Sequence, residues 1–251
     1  MISNKEIRTI ARQELKDFWT MPVLATLVYL ILSMVAQVPS QFFNFAQASS
    51  MSMSFMLPMM IISFLIGIFF LCPLAYGFTL AFLHFLREDK EDTVEAMFCG
   101  FKTYGRAIGV YLLETVLLFL WFLLLFVPGI IKSLAYSLTF FISKDHPELS
   151  AYECIQRSND MMKGHKMQLF LLYLGFFGLA ILSVFTLFIG LFWLIPFFQV
   201  CLAEFYENLK EEEDMKLAEA ESALLSEEST PVVAETLAVD ETAVEEVRGE
   251  E

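Results

Sequence analysis

The sequence predicts an all-α fold: a polytopic membrane bundle of about six transmembrane helices, both chain ends on the cytoplasmic side, with amphipathic cytoplasmic helices. Three observations carry this. Of 251 residues, 57% are apolar and only 18% charged, whereas soluble chains are about half apolar and about a quarter charged. No Asp, Glu, Lys or Arg occurs from Phe18 to Leu86, nor from Gln168 to Ala203, and runs of that length read as membrane spans. Third, one assignment of spans gathers nearly every Lys and Arg on one side, as the positive-inside rule requires.

The composition argues against a disulfide-stapled secreted domain, a nucleic-acid-binding module and an ordinary soluble enzyme. The net charge of −14 belongs to a tail: residues 211–251 hold 15 Asp and Glu against 2 Lys and Arg. Residues 1–210 are therefore close to neutral. Cys72, Cys99, Cys154 and Cys201 form no C-x-x-C pair and suggest neither a disulfide framework nor a metal site.

Residues 1–18 mix Lys5, Arg8, Arg12 and Lys16 with Glu6, Glu14 and Asp17 and lack a small-residue cleavage pair, so they read as an interfacial helix and not a signal peptide. The first span is about 19–37, with Pro22 near its first turn, where a missing N–H costs little. A charge-free loop follows to residue 54. The second span, about 56–86, exceeds a bilayer core of about 30 Å and must tilt, protrude or bend, with Pro73 and Gly77 marking the bend. Asp92 or Thr93 then caps a short amphipathic helix carrying Val94, Met97, Phe98 and Phe101 along the membrane surface.

The third span, about 107–127, contains Glu114 and ends at Pro128 and Gly129. Residues 130–143 are read as a short, tilted fourth span. If they cross, Lys132 snorkels alone to the outer interface while 13 Lys and Arg lie inside. Ser150 and Glu153 form an S-x-x-E capping box, and Gly164 stands where a helix ends on a left-handed residue. Together they define a cytoplasmic helix over 150–163, with Tyr152, Ile155, Asn159 and Met162 on one side. Spans five and six, about 167–187 and 191–206, form a hairpin turning at Gly190. The membrane domain thus covers 19–210. Residues 211–251 lack aromatics and are expected to be largely disordered beyond about Leu225.

Glu114 is the one acid well inside a span, and an intramembrane acid is a functional candidate by default. The blander alternatives are that it snorkels, protonates or pairs with His84 or Arg106. Pro128, Gly129 and Lys132 either shape a substrate path in a broken helix or form a hairpin corner; the corner is favoured because nothing strongly polar accompanies Lys132. His84, His146 and His165 share no ligand spacing, and no G-x-S-x-G, Walker A or H-E-x-x-H string occurs. The expectation is therefore no cofactor, no metal and no enzyme.

The second half of the core carries Phe126-Val127-Pro128-Gly129-Ile130-Ile131-Lys132, then Tyr136-Ser137 and residues 145–158 with Glu153 and Ser158. Met162-Lys163-Gly164-His165-Lys166, Trp193-Leu194-Ile195-Pro196 and Phe205-Tyr206-Glu207 follow. On these residues the chain resembles the bacterial integral membrane proteins of domain-of-unknown-function family 975, over about residues 1–210. Met167 and Phe197 depart from the tryptophan and tyrosine expected there. The resemblance implies a multi-span bacterial membrane protein and adds no reaction.

Two functions compete, ahead of a membrane-embedded hydrolase that has only Glu114, His84 and scattered polar residues behind it. The first is a non-enzymatic interaction or accessory component of the bacterial plasma membrane, meeting the bilayer and a protein partner through the cytoplasmic helix or the acidic tail, with Arg157, Lys163 and Lys166 at the contact. The second is a transporter or lipid-handling protein with a cavity between spans two to four. No nucleic acid is expected as a partner.

Overall fold

The computed structural model describes residues 2–48, 53–87, 90–186 and 188–248. Residues 2–207 make one compact unit and those from Asn208 onward a second, each considered by itself. Every regular element among the described residues is helical.

A charge-free chain satisfies its backbone polar groups most simply in helices. Among the described residues four helices are long and apolar enough to cross a membrane: Met56–Arg87, Tyr104–Leu124, Phe126–Asp145 and Lys166–Val184. A fifth is possible if α1 (Asn4–Leu15) and α2 (Thr20–Ala36) count as one bent span, but these meet at 95°. That angle suits an amphipathic helix lying across the foot of an apolar one. α1 begins at a capping box of Ser3 and Glu6 and turns Ile7, Ala11 and Leu15 inward. It is stitched to α12 (Lys166–Val184): Asn4 Nδ2 donates to the Gln168 carbonyl at 2.8 Å, and Gln168 Nε2 to the Ile2 carbonyl at 2.9 Å. The Arg8 guanidinium lies over the Phe176 ring, against Gly175, where a Cβ would displace it.

Where a loop was expected after residue 37, α3 (Val38–Ala48) packs on α4 (Met53–Ile66). With no charge to draw it into water, that stretch coils as readily as its neighbours. The second long helix changes register before the anticipated bend. A π-helical turn, Gly67–Leu71, joins α4 to α5 (Cys72–Arg87). Pro73 explains its position, because proline supplies no N–H and its ring crowds the carbonyl four residues back, that of Phe69. The Tyr104 hydroxyl donates to this carbonyl at 2.9 Å.

α5 is buried along almost its whole length, from Cys72 to Phe85. The surface helix expected after Asp92 is instead two short helices, α6 (Thr93–Ala96) and α7 (Cys99–Lys102), pressed against α5 with Met97 fully buried. Two glycines permit that approach. A Cβ on Gly77 would collide with the Met97 carbonyl, and one on Gly100 with the Pro73 carbonyl.

α8 (Tyr104–Leu124) stops before Pro128; Leu125 is extended, and α9 (Phe126–Tyr136) takes Pro128 into its first turn, where proline is tolerated. α9 and α10 (Thr139–Asp145) form a broken helix returning along α8. This Phe126–Asp145 segment has the lowest mean hydropathy of the four, 1.4, and the largest buried share, 44% against 11% for α8. Protein covers it more than it covers the other three. α11 (Ala151–Met161) packs Cys154, Ile155 and Ser158 into α8, α9 and α10; of the four residues expected on one side, Ile155 and Met162 are buried and Tyr152 is exposed.

α12 ends at Val184, and the left-handed residue of the next turn is Phe188, φ 65°, not Gly190. α13 (Leu191–Arg248) buries residues 200–203 and 205–206 in the first unit. Where disorder was expected it continues as helix to Arg248, in keeping with the high helix propensity of Glu, Ala, Leu and Lys. In the second unit Lys216 pairs with Glu212 one turn away at 2.6 Å.

Candidate functional site

The densest polar chemistry lies where α5, α8, α10, α11 and α13 converge. Arg106, on the first turns of α8, reads the chain between α10 and α11. Its Nε donates to the Ser143 carbonyl at 2.9 Å and to Ser143 Oγ at 2.8 Å. Nη1 donates to the carbonyls of Pro147 (3.0 Å) and Leu149 (2.8 Å), and Nη2 to that of His146 at 2.7 Å. Lysine could not replace it, since only the planar guanidinium presents five donors in a fixed fork. Ser143 Oγ also meets the Tyr76 hydroxyl at 3.2 Å, which couples α10 to α5.

A second arginine closes the same end. Arg87, the last residue of α5, grips Asp145 with two bonds of 2.6 and 2.8 Å and donates through Nε to Glu207 of α13. The Tyr206 hydroxyl donates to the same Asp145 carboxylate at 2.9 Å. The Asp145 side chain is 8% exposed, and a charge so enclosed persists only when matched and hydrogen-bonded.

Beside this knot is a cavity of about 300 Å³ between α5, α6, α7 and the end of α10. Leu80, Leu83 and Ala96 give it an apolar wall; Lys102 and Lys144, with Asp92 and Glu95, give its charged rim. Cys99 also lines it, and burial pushes this thiol up from its usual value, against the pull of Lys144 and Lys102.

The residues singled out in the sequence fall into separate places. Glu114 sits midway along α8 and does not meet Arg106, whose donors are committed elsewhere; its Oε2 is buried without a hydrogen-bond partner among the described residues. Gly129 packs beneath the Phe122 ring, as a corner glycine should. Tyr136 is core, buried with Ala135 and Ile155 against Leu113, Leu117 and Trp121.

Lys132 corrects the expectation of an isolated outer cation. Its Nζ reaches Asn159 Oδ1 of α11 at 3.4 Å and lies over the rings of Trp121 (5.1 Å) and Tyr136 (5.6 Å). It thus adjoins the helix that the charge argument had placed on the opposite side. Aromatic faces and an amide shelter the ammonium where open water does not. Gly164 takes φ 86°, as the sequence required, and the Ser150–Glu153 box is formed in both directions. Lys163 pairs with Asp160 at 2.7 Å on an exposed surface, Arg157 is half-buried on α11, and Lys166 opens α12. Sequence patterns include Asp145 and Glu207 among the family motifs but signal neither their pairing with Arg87 nor the carbonyl-reading role of Arg106.

Fold and site together define an all-helical chain with several apolar helices of membrane-crossing length, clamped at one end by two arginines. The chain belongs to the family described as protein of unknown function DUF975, whose model matches residues 1–132 and 122–213. No curated protein matches it, and no solved structure does.

Proposed function

We propose that the chain is a multi-pass protein of the bacterial plasma membrane, with six apolar segments entering the bilayer and both ends on the cytoplasmic side, acting as a non-enzymatic interaction or accessory component. The supporting observation is the double clamp. Arg87 and Arg106 fix α10 and α11 to α5, α8 and α13, which makes a rigid platform from which Tyr152 and Lys163 project. A preformed surface binds a partner without the ordering cost that a loose one incurs. The acidic residues beyond Lys210 offer by their charge a separate attraction for a basic partner.

The test is co-purification of the full chain beside a chain lacking residues 211–251 and beside an Arg157→Gln, Lys163→Gln, Lys166→Gln variant. Loss of a stoichiometric protein from either altered chain is expected. An identical profile from all three refutes the reading.

A second reading, transport or lipid handling, is favoured by the charged cavity at the end of α5 and by the buried Glu114 oxygen. Substitution of Glu114 by Gln should then reduce flux in reconstituted vesicles, and unchanged flux removes Glu114 from the mechanism.

A further inference from the structure

We propose that the cavity between α5, α6, α7 and the end of α10 seats the headgroup of a zwitterionic aminophospholipid, with Lys102 and Lys144 holding its phosphate and Asp92 and Glu95 its ammonium. This rests on the lipid-handling reading and names its ligand.

Depth comes first. Leu80, Leu83, His84 and Arg87 belong to the closing turns of the apolar run Met56–Arg87, and the other wall is the polar chain that follows. A cavity at such a junction lies level with headgroups when the run crosses a bilayer. Size agrees: about 300 Å³ is at the small end of ligand sites and accommodates a headgroup while acyl chains remain outside.

Charge then selects the class. Arg87 also lines the cavity, but Asp145 and Glu207 already neutralise it. Lys144 makes no ion pair among the described residues, and Lys102 stands 3.8 Å from Glu95, a loose exposed contact that a ligand can open. Two ammonium groups on different elements converge on a phosphate, whereas Asp92 and Glu95 repel a bare anion. A ligand carrying both charges satisfies both pairs, and one lacking the ammonium leaves two carboxylates facing its phosphate.

Cys99 supplies the readout, because it lines the cavity and is partly accessible while Cys72, Cys154 and Cys201 are buried. The purified full chain in detergent is titrated separately with short-chain phosphatidylethanolamine, short-chain phosphatidylglycerol, soluble phosphoethanolamine and inorganic phosphate. Maleimide labelling of Cys99 is followed by mass spectrometry. Phosphatidylethanolamine should protect Cys99, with phosphatidylglycerol and the two soluble compounds protecting at least about tenfold less well at equal concentration. Lys144→Gln and Glu95→Gln, both on exposed positions, should each weaken that protection about tenfold, the worth of one charge-assisted bond. Glu95→Gln should also erase the preference over phosphatidylglycerol.

Protection by phosphatidylglycerol equal to that by phosphatidylethanolamine overturns the zwitterionic assignment while leaving lipid handling in place. So does protection indifferent to both substitutions. Protection by soluble phosphoethanolamine as strong as by the lipid overturns the lipid source, and protection by no lipid overturns the lipid-handling reading as well.

Discussion

Replacing Arg106 by lysine keeps the charge and nearly the length of the side chain, so its effect isolates the guanidinium fork. Arg106 donates to four carbonyls and to Ser143 Oγ, at 2.7 to 3.0 Å. A bond from a charged donor contributes about 1.5 to 3 kcal/mol, yet the five do not add. The carbonyls of Pro147 and Leu149 lie in a partly exposed turn and regain water when the fork is lost. The Ser143 residue is 1% exposed, so its carbonyl and hydroxyl are the acceptors that water does not reach. Lysine, as a single ammonium, reaches one cluster of acceptors and abandons the rest. A loss of about 3 kcal/mol follows for Arg106→Lys, and somewhat more for Arg106→Gln, from two orphaned buried acceptors. Thermal unfolding in detergent gives the global value, and hydrogen exchange across residues 139–161 shows whether the loss is local. If Arg106→Lys unfolds at the wild-type temperature with those amides equally protected, the fork does not hold α10 and α11.

Gly100→Ala should destabilise by about 3 kcal/mol or more, since the new Cβ meets the Pro73 carbonyl, which is backbone and cannot swing aside. Gly164→Ala, where no atom lies near and only φ 86° is strained, should cost about 1 to 2 kcal/mol; denaturation midpoints in detergent order the pair, and a reversed order refutes the contact argument. Ser150→Ala should cost α11 about 1 kcal/mol, read as faster exchange of its amides. The backbone N–H of Ser150, and then its hydroxyl, hold the Glu153 carboxyl below its usual 4.5. The box therefore stabilises fully above pH 4.5 and weakens as pH falls through the lowered folded value; acid titration of α11 protection should show this in the wild type and not in Glu153→Gln. The amides of residues 211–248 should exchange within seconds while those of α5 stay protected, because Met215, Leu217 and Leu224 are exposed and a helix without packing is marginal; slow exchange there refutes it.

Local grammar was legible before the structure. Ser150, Glu153 and Gly164 define their helix because a capping box and a left-handed stop are written within fifteen residues. The same S-x-x-E signature stands at Ser3 and Glu6 and opens α1. Pro128 announced a corner within a few residues of where it falls. What escaped was contact at long separation. Arg87 and Glu207 are 120 residues apart, and Arg106 reads carbonyls about 40 residues away; carbonyls carry no side-chain identity, so no pattern of letters betrays them. The π-turn escaped because proline predicts a disturbed helix without stating how the disturbance resolves. Lys132 was misplaced because counting charges by side treats each lysine as needing water, whereas Trp121, Tyr136 and Asn159 supply a substitute.

The stitching of α1 to α12 has a consequence in time. Asn4 and Arg8 each bond a carbonyl made 164 positions later, those of Gln168 and Leu172. At synthesis rates of about 5 to 20 residues per second, the amino-terminal helix waits on the order of ten seconds for its partner. Until then Asn4 and Arg8 lack these acceptors, although Glu14 of the same helix can already pair with Lys90. A helix made long before α12 is thus seated against it only once α12 has been made.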